Sequence, residues 1–507
     1  MVGSLVFALA ALLAGADLAA AQTPDAPRAR VDTGTVVGVA DGPARIFRAI
    51  PYAAPPLGPL RWRPPQPAAR WQGERPALAD GPACLQPVAP GRYNAGGYMG
   101  PVSEDCLTLD VFAPAHAARA PVMVWIFGGG NNAGADSIAP NDGRFFARDG
   151  VVLVAMNYRL GPLGFFAHPA LTREAGPGAP LANYGLMDQI AALRWVRRNI
   201  AAFGGDPHNV TIFGESAGGD DVLTLMVTPA ARGLFQKATV QSGGGWGAPV
   251  TLAQGEAAGV ALTVKLGLPT DAGPDQLRAL PADKLIDAGG RFGPIVDGRL
   301  VIESAAQGFA RSHEAPAPLI IGSNTWEASL LPPAGYDAYA AAADPAVRAA
   351  YPDDAADPAR LAQDLFTDRE MGAPARWFAR QASAKAGAWL YEFSYVRVAR
   401  KGKIPGANHT SENPYVFDTQ MIVPNYSAEI VDADRQVAAF MHACWVAFAK
   451  TGAPDCRAAG QPWPRYDAAT DELMDFDAPP ALVHAYRKPQ LDAQEAAAAA
   501  LLAPDHP

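Results

Sequence analysis

The chain reads as an α/β protein: a mostly parallel central sheet covered by helices on both faces. Two observations carry this. Three strongly apolar runs, Pro121–Phe127, Val151–Met156 and Val210–Phe213, have the unbroken hydrophobicity of strands buried on both sides. Between the last two, Met187 to Ile200 places Ile190, Leu193, Trp195 and Val196 at helical spacing, and strands alternating with helices imply parallel pairing.

The remaining elements follow along the chain. Leu5 to Ala16 is apolar but too short to span a bilayer, and Ala19-Ala20-Ala21 before Gln22 forms an A-x-A cleavage pattern. Residues 1–21 are therefore expected to be an export signal, although no lysine or arginine precedes the apolar run. The mature product is expected to be secreted or periplasmic, with residues 22–507 as one domain, since no linker or internal repeat divides them. Later strands are expected at Ala238–Gln241, Leu319–Gly322 and Trp389–Tyr395, and alanine-rich residues 331–385 suit surface helices capping the sheet. A net charge of -9 without a basic run argues against nucleic acid as a partner, and no second apolar segment offers a membrane span. Four cysteines fit an oxidising compartment. Three pairings are open; proximity favours Cys84–Cys106 and Cys444–Cys456, and none has the spacing of metal ligands.

The chemistry starts at Gly214-Glu215-Ser216-Ala217-Gly218, which follows the β-type run 209–213 and precedes a helical stretch from Gly219 to Val227. A G-x-S-x-G pentapeptide between strand and helix holds its serine in a strained turn, with the hydroxyl clear of the chain. A serine nucleophile needs a base, an orienting carboxylate and donors for the oxyanion. Gly128-Gly129-Gly130 ends the Pro121–Phe127 strand and can bring bare N–H groups close to a substrate. A dinucleotide loop is the competing reading of Gly128, Gly130 and Ala133, but such a loop opens a helix and leads to an acid at the next strand end, where this chain has Asn157. Among eight histidines, His409 lies in a loop after the Trp389–Tyr395 strand, where such folds place working groups. His116, His208 and His313 sit in polar turns and His442 in a helix. Glu327 follows the Leu319–Asn324 strand and turn; Asp297, between Pro294 and Gly298, is the alternative acid. Ser216, Glu327 and His409 fall in the order Ser…acid…His.

With these residues in place, the chain resembles the type-B carboxylesterases, the family that includes bacterial carboxylesterases and the cholinesterases. The resemblance rests on residues 50–56 (IPYAAPP) with Arg61-Trp62, residues 103–107 (SEDCL) with Asp110, residues 157–161 (NYRLG), the run Asn183 to Asp206, and Phe213 to Gly219. It implies an α/β-hydrolase fold with a small N-terminal antiparallel extension. It also implies hydrolysis of small-molecule carboxylic esters through an acyl-enzyme, without a cofactor or metal. Ser216 is then the nucleophile, Glu327 the acid and His409 the base; Gly129, Gly130 and Ala217 are the oxyanion donors, and Cys84–Cys106 is the family's N-terminal disulfide. Glu215 matches a family glutamate that tunes the site, and Ser242 a second serine near the acid–histidine pair. A lipase or natural-product esterase with the same chemistry, or a non-catalytic binding protein, are the alternatives. The pocket candidates are Asn131, Glu215, Trp246 and Trp326. Three departures stand out: Asn131 replaces an aromatic or bulky residue after the glycines, Thr325-Trp326 precedes the acid, and Asp220 and Asp221 stand where the family prefers small or hydroxyl residues. The two aspartates read either as one solvated and one hydrogen-bonded residue at a helix N-terminus, or as a pair that binds a polar or cationic substrate group.

Overall fold

A computed structural model describes residues 26–88, 93–94, 97–98, 100–354, 356–427 and 429–503. The expected export signal, residues 1–21, lies outside them. Among the described residues the main sheet has eleven strands. In chain order they are β1 (Val39–Asp41), β2 (Ala44–Pro51), β3 (Thr108–Pro114), β4 (Ala120–Ile126), β5 (Val152–Met156), β6 (Gly205–Glu215), β7 (Lys237–Gln241), β8 (Leu319–Asn324), β9 (Ala388–Phe393), β10 (Glu472–Phe476) and β11 (Ala481–His484). Their spatial order is β11-β10-β9-β8-β7-β6-β4-β5-β3-β2-β1. From β5 through β10 the neighbours are parallel, while β1, β2, β3 and β11 pair antiparallel at the two edges. A smaller sheet pairs Arg28–Val31 antiparallel with Gly34–Val37 and adds Glu74–Pro76.

The three apolar runs become β4, β5 and the middle of β6, and apart from half-buried Pro121 their residues are buried, as burial on both faces requires. Strand β6 outruns its apolar stretch at both ends: polar residues from Asp206 to Asn209 carry it outward, and Gly214-Glu215 carry it to the serine. Helix α1 (Tyr184–Asn199) starts three residues before the apolar spacing does, with Asn183 tied through its side-chain amide to Ile295 O at 2.9 Å. Residues 331–385 hold several helices, among them α2 (Pro358–Thr367) and α3 (Ala373–Ser383), joined by one π-helical turn at Asp368–Gly372. They do not all lie on the surface. Helix α3 buries Trp377, Phe378 and four of its alanines against β8 and β9. Both disulfides form, Cys84–Cys106 and Cys444–Cys456. Among the described residues no helix is long and apolar enough to cross a membrane.

Candidate active site

Strand β6 delivers Ser216 into a left-handed backbone conformation, φ 55° and ψ −128°, and a helix (Ala217–Val227) departs at once. For a residue with a side chain this conformation is strained, of order 1–3 kcal/mol, and persists only where the surroundings impose it. Packing on either side imposes it. A methyl carbon at Gly218 would lie 2.0 Å from Ile126 O, so the helix starts hard against β4 only because Gly218 has no side chain. The Ser216 amide donates to Gln241 O at 2.8 Å and pins the turn to β7.

The loop after β9 carries His409, which approaches Glu215, the residue before the serine. Its Nδ1 meets Glu327 Oε2 at 2.5 Å, and Glu327 is fully buried just beyond β8. The other carboxylate oxygen of Glu327 accepts from Ser242 Oγ at 2.5 Å and from the Asn324 amide at 2.7 Å, so the acid cannot turn. The His409 Nε2 is buried without a hydrogen bond and stands 3.1 Å from Glu215 Oε1. No hydrogen bond therefore links His409 to Ser216 in this structure; Glu215 is the group its free nitrogen faces. Burial alone would lower the imidazole, but the carboxylates of Glu215 and Glu327, and Glu412 beyond them, outweigh it and push it up to about 10. Burial has the opposite effect on Glu215, raising it to about 8 against the pull of His409.

Glu412 was not singled out from the sequence. It is fully buried three residues after His409, where Asn324 Nδ2 donates to it at 2.5 Å and Gln241 Nε2 at 3.3 Å. Its closeness to His409 in sequence was the available signal; its inward direction depends on the turn at Thr410, which has φ 72°. Asp297, the alternative acid, instead accepts from the amides of Arg299, Leu300 and Val301 and closes its own turn. His442 is packed in its helix, bound to Val416 O and Asp149.

The glycine loop follows β4. Gly129 has φ 90°, and a methyl carbon there would lie 2.2 Å from Ala133 O. Gly130 and Ala217 line a cleft of about 1040 Å³ together with Asn131 and Asp220. A second cleft, of about 760 Å³, is lined by Asp220, Gly243 and Trp246, with Arg369 and Glu370 from the π-helical turn. Trp246 is held there by its indole N–H, which donates to Arg369 O at 2.9 Å. Trp326 lines neither cleft; its backbone pairs with the histidine loop, its amide donating to Ala407 O at 2.8 Å.

The two aspartates separate. Asp221 is fully buried and accepts from Asn131 Nδ2 at 3.1 Å and Gln189 Nε2 at 2.6 Å, so it is closed to any substrate. Asp220 is half-buried and faces both clefts.

Comparison with known proteins agrees with this architecture. The sequence profile of the carboxylesterase family matches residues 25–348 and 338–494. Fumonisin B1 esterase from Sphingopyxis macrogoltabida is 34% identical over 484 residues, covering 90% of this chain and 88% of its own. Para-nitrobenzyl esterase from Bacillus subtilis is 35% identical over 471 residues, with 88% and 93% covered. Among solved structures, a thermophilic PNB esterase superposes with a TM-score of 0.80 at 31% identity, covering 92% of this chain and 99% of that one.

Proposed function

This chain belongs to the carboxylesterase family and is a carboxylic ester hydrolase, and from that premise we propose a covalent acyl-enzyme mechanism on Ser216. The observation that carries the proposal is the strained elbow at Ser216, with the buried His409–Glu327 pair beside it. His409 Nε2 takes the serine proton as the hydroxyl attacks the ester carbonyl, then returns it to the leaving alcohol. Glu327 fixes the ring and stabilises its charged form. The N–H groups of Gly129, Gly130 and Ala217 receive the developing oxyanion; one such donor is typically worth about 3 kcal/mol of barrier. Catalytic hydrogen bonds are often open in the free enzyme and close around substrate, which suits the unlinked Ser216 and His409.

The proton on His409 is the point of control. Nε2 must be bare to act, yet the surrounding carboxylates hold a proton on it. Activity therefore rises with pH, and the rising limb lies above the ordinary histidine value of about 6.5.

The substrate reading is a small-molecule ester with a sizeable group on each side of the scissile bond, because the two clefts meet at Asp220, about one helical turn from Ala217. Export of the mature chain, residues 22–507, as one domain completes the proposal; fractionating the native host and sequencing the N-terminus tests it. For the chemistry, a fluorophosphonate probe and short-chain nitrophenyl esters suffice. Ser216 is expected to take the label, and Ser216→Ala to lose labelling and turnover together. Undiminished turnover in Ser216→Ala removes the mechanism.

A further inference from the structure

We propose that Asn131 and Asp221 form a strut that fixes the glycine loop against the helix leaving Ser216, so that the oxyanion donors on both are held in register. The inference rests on the oxyanion reading above and assigns two positioning residues to it. Both residues depart from the family pattern, and the structure joins them: Asn131 Nδ2 donates to Asp221 Oδ1 at 3.1 Å across 90 residues of sequence.

Each end is anchored. Asn131 follows directly on Gly129 and Gly130 and has φ 59°, a left-handed conformation that asparagine tolerates better than most residues with a side chain. Its carbonyl accepts from the Gly161 amide at 2.7 Å, which fixes the peptide while the side chain reaches the helix. Asp221 is the fifth residue of the helix that begins at Ala217, one turn along from it, so what holds Asp221 also steadies the turn that carries the Ala217 N–H. Its second oxygen accepts from Gln189 Nε2 at 2.6 Å on α1, giving the strut a fixed base. All three side chains are buried, and a hydrogen bond to a buried carboxylate is worth more than one between neutral groups. An oxyanion hole works only if its donors already point at the place where charge will develop. Here the donors come from two separate segments, and the Asn131–Asp221 bond is a direct side-chain tie between them.

The test separates backbone from side chain. Asn131→Gly keeps the left-handed conformation free of strain and deletes only the amide. The double exchange Asn131→Asp with Asp221→Asn rebuilds the pair with its donor and acceptor reversed. With p-nitrophenyl acetate, Asn131→Gly is expected to lower kcat by about ten- to a hundredfold, with KM within about twofold, somewhat less than the loss of a whole oxyanion donor. Affinity for a trifluoromethyl ketone, which becomes an oxyanion on Ser216, should fall in parallel, and the double exchange should recover most of both losses. Unchanged kcat in Asn131→Gly overturns the strut. So does a loss confined to KM, or a double exchange as impaired as the glycine variant. Should Asn131→Gly fail to fold, a folded double exchange with kcat near wild type supports the strut and one with kcat collapsed overturns it. Fluorophosphonate labelling of wild type keeps the two readings apart: an unlabelled Ser216 removes the acyl-enzyme mechanism, whereas a labelled Ser216 with unaltered Asn131→Gly kinetics removes only the strut.

Discussion

The two flanks of Ser216 are built from the same material, buried carboxylates, and use it in opposite ways. On the histidine flank Glu215, Glu327 and Glu412 surround a single imidazole, and their summed charge holds a proton on it. On the flank of the proposed oxyanion hole Asp221 accepts from two side-chain amides, and burial pushes it up to about 7 against those donors. On the proposed mechanism one flank is electrostatic and sets the pH at which the base is free, and the other is mechanical and sets where the oxyanion donors point. Substitutions on the first flank that leave the imidazole oriented should therefore move pH profiles, and those on the second should lower kcat.

Removing the electrostatic flank at its centre gives the largest effect. Glu327→Gln leaves the shape of the site intact but favours the wrong ring tautomer of His409, and kcat on nitrophenyl esters should fall on the order of 10⁴-fold. A loss below about tenfold would show that Glu327 does not orient the base, and would shift attention to Glu412.

Glu215→Gln tests the same flank more gently. Glu215 Oε1 is 3.1 Å from His409 Nε2 and is the leading upward influence on it. Taking away that negative charge weakens the hold on the proton, so the imidazole becomes bare at lower pH. The rising limb of kcat/KM against pH should move toward acid by about one pH unit or more. The sign is diagnostic: a limb that stays put, or moves toward alkali, means the charge of Glu215 does not govern His409.

The same contrast decides how much could be read from sequence. The proposed nucleophile was legible because its constraint is local: Gly214, Ser216 and Gly218 lie within five residues, and strand, turn and helix follow in order. The glycine loop and His409 were legible as strand-end segments, and the family resemblance added their roles. Asn131 and Asp221 were each visible as departures, but their bond spans 90 residues and no local pattern encodes it. Asp220 and Asp221 read either as one solvated and one hydrogen-bonded residue or as paired substrate contacts, and the structure separates them as the first reading has it. In an α-helix successive side chains turn by about 100°, so neighbours face different surroundings. The first meets the clefts and the second meets α1. Trp246 and Trp326 both read as pocket candidates; Trp246 lines a cleft, whereas the Trp326 peptide is engaged with Ala407.

That split leaves Asp220 as the one aspartate of the pair open to substrate, and its removal should have the smallest effect. Burial and the nearby Asp221 push its carboxyl up to about 8, so it ionises fully only on the alkaline side. A cationic group seated in the cleft favours the ionised form and is favoured by it. At a half-exposed position such a contact is worth at most about 1 kcal/mol, or roughly fivefold in kcat/KM. Two esters of the same shape, one ending in trimethylammonium and one in tert-butyl, isolate that contribution. Asp220→Asn should leave the neutral ester within about twofold and reduce the preference for the charged one. Because the carboxylate forms as pH rises, the wild-type preference should grow from neutral to alkaline pH while the variant's stays flat. Equal preference in both enzymes at alkaline pH would detach Asp220 from substrate choice and leave it, like Asp221, a matter of the scaffold.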